Sequence, residues 1–223
     1  MTLTLIDLYN DITGQAWSMF DGDVEAQDEF EKSVTSSIQK ALNELWCSYK
    51  FPFRNKTMSF RTRSGIFSYS APNGNIATEM IKGKREYCVR IGKKYLEYEP
   101  DYKTLEEKEG EPEKFYYHND KLYLYPTPDT TYKVDVDYWA LFSACNKEEE
   151  SKATLELEDD YIDIPEKYEH VFKMALLPLA MTVAIANETD ENYSGYYKQY
   201  EKAYKILIDF CRGLDTEKRM CLR

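Results

Sequence analysis

The hydrophobic period of this chain changes twice along its length, and that switch limits the folds open to it more than any short motif does. Near the N-terminus Leu5, Leu8, Tyr9, Ile12, Ala16 and Met19 recur at helical spacing, which places them on one face of an amphipathic helix. Thr4 and Asp7 have the residue types and spacing of a capping box at its start. After the turn Asp21-Gly22-Asp23, with Asp23 as the expected N-cap, Phe30, Val34, Ile38, Ala41, Leu42, Leu45 and Trp46 fall on one stripe of a second helix. That helix must end before Phe51-Pro52-Phe53, because proline drives the residue before it out of helical geometry.

From Thr57 to about Phe142 the period drops to that of a strand. Tyr87, Val89 and Ile91 alternate, as do Val134, Val136 and Tyr138 against Lys133, Asp135 and Asp137. Asn119-Asp120 lies between Phe115-Tyr116-Tyr117 and Leu122-Tyr123-Leu124-Tyr125, a hairpin signal because both turn residues tolerate positive φ. Pro126 and Pro128 end that strand. Then the helical period returns. Pro165 stands at the first helical position of a third helix, where its missing N–H is no loss. The run Val171 to Ala186 is apolar nearly all round, so this helix is expected to be the most buried, kinked where Pro178 removes the bond to Met174. Tyr193, Tyr197, Tyr200, Tyr204, Leu207 and Cys211 mark a fourth helix, with Gly213 as its expected stop. The charged residues from Asn146 to Asp160 read as a solvated loop.

The pattern predicts an α+β protein: an antiparallel helical bundle built from N- and C-terminal helix pairs, with an inserted antiparallel β region. The expected divisions are 1–50 for the first hairpin, 51–145 for the β region and 146–213 for the second helix pair. Residues 214–223 would form a tail. At 223 residues the chain is long enough for a real core. The longest nearly apolar run, Met174 to Ala186, has 13 residues, short of the ~20 a bilayer span needs. With no basic stretch at the N-terminus, no secretory signal is expected, and the N-x-S/T matches then carry no weight. The five cysteines, Cys47, Cys88, Cys145, Cys211 and Cys221, are odd in number and lack C-x-x-C spacing, which fits free thiols in a reducing compartment.

Chemistry is harder to find. There is no H-E-x-x-H, no nucleophile elbow and no glycine-rich phosphate loop, and the two histidines, His118 and His170, stand apart. Gly83 and Gly92 lie in basic turns of ordinary hairpin type. Asp21 to Glu25 resembles the start of a calcium loop, but Ala26 and Lys32 occupy the positions of the required glycine and bidentate glutamate. Asp135 with Asp137, and Asp159, Asp160 and Asp163, are carboxylate groups of the kind used for general acid–base work. In a chain with 40 acids such pairs arise by composition. No enzyme, cofactor or metal site is expected.

Charge is the stronger signal. The net charge is −11, which opposes simple coating of nucleic acid or anionic membrane. Yet residues 50–94 hold 11 bases and two acids, a net of +9, while residues 95–170 hold 22 acids and eight bases, a net of −14. Such segregation suits surfaces of opposite sign that meet in an assembly. Arg61, Arg63, Lys82, Lys84, Arg85, Lys93 and Lys94 are the candidate contact residues. A competing reading gives them to nucleic acid, with Phe60, Phe67 and Tyr69 as stacking surfaces.

One stretch is distinctive as a pattern. Gly110-x-Pro112-x-x-Phe115-Tyr116-Tyr117 is followed by Leu122-Tyr123-Leu124-Tyr125-Pro126-Thr127-Pro128-Asp129, a strand from Tyr132 to Tyr138, and the helix start Ile164-Pro165-Glu166. This resembles head-to-tail adaptor proteins of tailed bacteriophages, and Leu42 to Trp46 with the exit to Phe53 resembles them more loosely. The resemblance implies a structural protein with a helical bundle and an inserted β region. It implies a ring, commonly dodecameric, that sits below the portal, joins head to tail and helps retain DNA. Its partners would be the portal protein, other tail or ring proteins, further copies of itself, and packaged DNA passing through the lumen without sequence-specific binding. No membrane or cofactor is implied. Its place would be the head–tail junction of the virion, after assembly in the host cytoplasm. A tail-tube or second-ring protein of similar fold, or a nucleic-acid-binding accessory, are the alternatives.

Overall fold

The computed structural model describes residues 3–16, 19, 24–70, 88–101, 103, 105–119, 121–185 and 191–220. Contacts divide the chain into two compact units, Met1–Phe53 with Phe142–Arg223, and Arg54–Leu141. The fold is therefore mixed α and β, with the β unit placed between the two halves of the helical unit in sequence.

The helical unit contains α1 (Leu5–Ala16), α2 (Val24–Ser48), α3 (Glu166–Ile185) and α4 (Glu191–Met220). The expected stripe of α2 is its buried face: Val34, Ile38, Ala41, Leu42, Leu45 and Trp46 are all buried. The chain leaving α2 also belongs to this unit. Phe51 stacks on Phe53 at 5.0 Å, and Phe172 of α3 meets both rings edge-on at 6.1 and 5.8 Å. This aromatic cluster explains why the unit boundary falls after Phe53, not at residue 50. The length of α3, 20 residues, and its apolar content would suffice for a bilayer span, but half of its most apolar window is buried within the unit. Pro178 lies inside α3 without ending it.

At the start of α1, Thr4 and Asp7 form the expected capping box. The Asp7 N–H donates to Thr4 Oγ1 at 3.3 Å, and the Thr4 N–H donates back to Asp7 Oδ2 at 3.3 Å. Thr4→Ala is therefore expected to lower stability by about 1 kcal/mol, read as a shift in urea midpoint. An unchanged midpoint would mean that this cap contributes nothing net.

The β unit holds β1 (Asn55–Arg61), β2 (Ser68–Ser70), β3 (Val89–Ile91), β4 (Lys94–Tyr95), β5 (Glu97–Tyr98), β6 (Glu109–Gly110), β7 (Lys114–His118), β8 (Lys121–Tyr125), β9 (Thr127–Pro128) and β10 (Lys133–Trp139). One sheet runs β1-β10-β3-β4, a second β2-β8-β7-β5, and β6 pairs with β9. The hairpin expected at residues 119–120 joins β7 to β8, with Asn119 at φ 50°. On β10, Val134, Val136 and Tyr138 are buried while Lys133, Asp135 and Asp137 face outward, as their alternation requires.

Four expectations are corrected. The β region is not wholly antiparallel: β5 with β7 and β6 with β9 pair in parallel. Parallel neighbours need long crossovers, and residues 99–113 and the β7–β8 hairpin provide them. Gly213 does not stop α4, which is helical to Met220, so residues 214–220 are not a separate tail. Glycine inside a helix costs only about 1 kcal/mol relative to alanine, too little to end one by itself. The charged stretch 146–160 is built rather than simply solvated. Its core is a sheet of β11 (Ala144–Cys145), β12 (Ser151–Lys152) and β13 (Tyr161–Ile162), and Leu155 and Asp160 are buried. Finally, the tyrosine end of the α4 stripe is less buried than Leu207 and Cys211, with Tyr197 exposed. The turn 21–23, Tyr87 and Asp120 lie outside the described residues.

Candidate interaction surfaces

The basic segment is partly consumed by the β unit itself. Arg54 is buried, and its Nε donates to the Ala140 carbonyl at 3.2 Å. Arg90 on β3 reaches across to β10, 3.3 Å from Asp135 Oδ2 and 2.9 Å from Asp137 Oδ2. From β1, Ser59 donates to Asp135 Oδ1 at 2.6 Å and Thr57 to Asp137 Oδ1 at 2.5 Å. The Ser59 hydroxyl, with help from Lys133 and Arg90, holds the Asp135 carboxyl below the usual carboxylate range. A general acid needs its pKa raised toward neutrality. Asp135 is held the opposite way, and the hydrogen bonds and ion pairs to Asp135 and Asp137 tie three strands together.

Lys93 lies in the β3–β4 turn, where Gly92 takes φ 59°, and Lys94 opens β4. Lys94 lies 3.8 Å from Glu111, with both side chains half exposed, a pair of little energetic weight. Arg61 ends β1, and Arg63 follows it. Since β1 and β4 are the two edges of their sheet, the structure separates Arg61 and Arg63 from Lys93 and Lys94. Lys82, Lys84 and Arg85 lie outside the described residues.

Arg61 and Arg63 are set on a rigid base. Between them Thr62 is 1% exposed. Its N–H donates to the Tyr132 carbonyl at 2.9 Å, its hydroxyl donates to the Thr130 carbonyl at 3.0 Å, and it accepts the Tyr132 N–H at 2.7 Å. With Thr62 turned inward, both arginines are exposed, as positions two apart in an extended chain should be. The Tyr69 hydroxyl accepts the Arg63 N–H at 3.1 Å and donates to the Ile66 carbonyl at 2.7 Å, closing the loop. Phe60 and Tyr69 have ring centroids 4.7 Å apart. Phe60, Arg61, Arg63 and Tyr69, with Met58, Ile66, Ser68 and Ser70, line a concavity of about 330 Å³. Among the described residues neither arginine has an ion pair. Phe67, 48% exposed, instead leans on Tyr123, which stacks on Tyr116.

In the helical unit, one acid organises the acidic segment. Asp160 is fully buried, and its Oδ2 accepts from Lys152 Nζ at 2.6 Å and from the N–H groups of Glu156 at 2.7 Å and Leu157 at 2.9 Å. Its carbonyl accepts the Leu5 N–H at 2.9 Å, and the Glu158 carbonyl accepts that of Ile6 at 3.2 Å, so this loop also satisfies the first turn of α1. Leu157 projects from the turn, 59% exposed, beside exposed Glu156, Glu158 and Asp159. Leu157 has no signal in the sequence, and Asp160 is marked there only as one member of an acidic cluster, not as the buried one. One acid among four in five residues carries no local mark.

The residues of the distinctive pattern lie on strands, in a turn and at a helix start. Leu122 of β8 is buried opposite Tyr117 of β7, Tyr138 is buried on β10, and Ile164 is buried ahead of α3, which starts directly after the exposed Pro165. Tyr125 ends β8, the Tyr125–Pro126 peptide is cis, and Pro126 and Pro128 are both buried. Asp129 accepts the Tyr132 hydroxyl at 2.7 Å, which pushes that phenol up to about 12. His118 and His170 are exposed. Among the described residues, no group of three or more His, Cys, Asp or Glu side chains could hold a metal ion.

No curated protein matches the sequence. A family model described as SU10 adaptor protein matches residues 6–219, nearly the whole chain. Both units fall within that match, including the β7–β8 hairpin and the start of α3, and the chain belongs to the SU10 adaptor family, a family of phage head–tail adaptors, as a structural component of the virion.

Proposed function

We propose that this adaptor forms a ring, commonly a dodecamer, below the portal at the head–tail junction and helps retain packaged DNA. Family membership supports the adaptor role, and one observation carries the ring: a single chain presents a basic concavity and an acidic, preorganised turn. A closed ring requires two different surfaces on each subunit, and opposite charge orients them while rejecting like-to-like contacts. In this reading the helix pairs form an antiparallel bundle, and the basic residues of 50–94, including Lys82, Lys84, Arg85, Lys93 and Lys94, serve contacts with neighbours. A net charge of −11 on each copy keeps DNA from sticking as it passes, because phosphate affinity comes mainly from counterions released at Lys and Arg.

High surface charge and the lack of a long heptad seam favour assembly on a partner. The isolated chain is expected to be monomeric or weakly associated at low micromolar concentration, and to form collars when mixed with its portal. Light scattering and negative-stain images check this, across a salt series in which assembly should weaken as the screening length falls below ~8 Å. A stable closed ring without any partner would overturn the dependence on docking. Failure to bind the portal at any salt, with binding to a tail component instead, would move the protein to a later ring.

A further inference from the structure

We propose that Leu157 of one copy seats in the Phe60–Arg61–Arg63 concavity of a second copy of this chain, and that this contact propagates the ring. The inference rests on the ring reading above and names the surface that makes it.

The two sides match in shape and charge. The concavity of about 330 Å³ is lined by Met58, Phe60, Ile66 and Tyr69 together with Arg61, Arg63 and the serines Ser68 and Ser70. The turn offers one leucine, 59% exposed, beside carboxylates of Glu156, Glu158 and Asp159. Glu156 and Asp159 are already near Lys152 and Lys147, at 3.2 and 2.8 Å. Glu158 has no ion pair among the described residues. An apolar anchor surrounded by charge of one sign, facing a pocket bordered by the other, is the arrangement of an interface hot spot with a polar rim.

Both sides are also preorganised, which reduces the entropy lost on association. Asp160 fixes the Leu157 N–H at 2.9 Å, and the Asp160 N–H donates to the Leu157 carbonyl at 3.0 Å. Across the contact, Thr62 and Tyr69 hold the arginine loop as described, and the Gly65 N–H donates to the Pro128 carbonyl at 2.9 Å. Because the leucine and the concavity are different surfaces, the contact is heterologous: each copy gives one and receives one.

The test is a cross-link in the full chain mixed with its portal. Leu157→Cys and Ser68→Cys, which lines the concavity, are combined with Cys47→Ser and Cys221→Ser to remove stray thiols. Mild oxidation should give a ladder of covalent oligomers from the double variant, and none from either substitution alone, since a disulfide needs Cα atoms within about 7 Å. Leu157→Ala should weaken assembly roughly tenfold or more, as loss of an interface anchor does. Arg61→Glu with Arg63→Glu should block assembly, and adding Glu158→Arg with Asp159→Arg should restore it.

Normal collars in negative stain without a ladder, or a cross-link confined to one chain, would overturn this contact and leave the ring standing. Absence of any collar from the unaltered chain with its portal would defeat the ring itself. If the Arg61→Glu, Arg63→Glu variant assembled normally but lost a salt-sensitive shift of labelled duplex DNA, the pocket would belong to DNA and the proposal would fail.

Discussion

Leu176→Asp is expected to abolish the cooperative native transition, seen as loss of the thermal melt in circular dichroism. Leu176 is 1% exposed in the middle of α3, among Phe172, Ala175, Leu179 and Ala180, which are buried with it. The nearest cation on its own helix, Lys173, is already ion-paired with Asp11 of α1. A carboxylate placed there loses its water and finds no partner, and protonation relieves that only by leaving a buried polar group in an apolar site. The penalty, several kcal/mol, is comparable to the 5–15 kcal/mol total stability of an ordinary domain. Val183→Asp is the internal control. Val183 is only half-buried, near the end of α3, so its carboxylate can reach water and the variant should melt lower but still cooperatively. A Leu176→Asp protein that melts within a few degrees of the parent would mean that α3 is not the core element.

The helices were legible because their information is local. The stripes on α1 and α2 and the apolar run of α3 each lie within the helix that they bury, and the cap at Thr4 and Asp7 is written in four consecutive residues. The β7–β8 hairpin was legible for the same reason. Charge segregation was legible as a sum but not residue by residue. Arg54 and Arg90 contribute to the basic count, yet one is buried against Ala140 and the other is ion-paired with Asp135 and Asp137. What separates them from Arg61 and Arg63 is the pairing of β1 with β10 and β10 with β3, set by residues far apart in sequence. The parallel pairs β5–β7 and β6–β9 are long-range in the same way. Leu155 and Leu157 show the limit most plainly. They share a parity that a strand would put on one face, but the turn closed by Asp160 buries Leu155 and exposes Leu157.

Asp160→Ala is expected to destabilise the helical unit by on the order of 3 kcal/mol, and to change its response to acid. A buried ion pair broken on one side typically costs 3–5 kcal/mol, because the remaining groups lose both partner and water. The lower end applies, since the Lys152 side chain is 21% exposed and its ammonium can still find solvent. The N–H groups of Glu156 and Leu157 lose their acceptor, and the loop that feeds carbonyls to Leu5 and Ile6 loosens. Asp160→Asn keeps an acceptor oxygen but not the charge, so it should cost less than the alanine variant. Burial alone would push the Asp160 carboxyl up, but the Lys152 ammonium and the Leu157 and Glu156 N–H groups outweigh it and hold the pKa below the ordinary value. With the folded pKa depressed, the unfolded chain binds the proton more readily. The carboxylate's stabilisation is thus fully present above the unfolded value near ~3.9 and is lost as pH falls through the folded one. Urea midpoints at neutral pH and through the acid range should show the parent weakening in acid, and Asp160→Ala weakening less steeply from a lower start. Equal neutral-pH midpoints, within about 0.5 kcal/mol, would mean that the turn holds itself without the carboxylate. Because the same carboxylate fixes the Leu157 N–H, Asp160→Ala should also weaken collar formation with Leu157 untouched, at a temperature where the variant remains folded. Assembly at parental strength in that variant would separate the stability of this turn from the contact assigned to its tip.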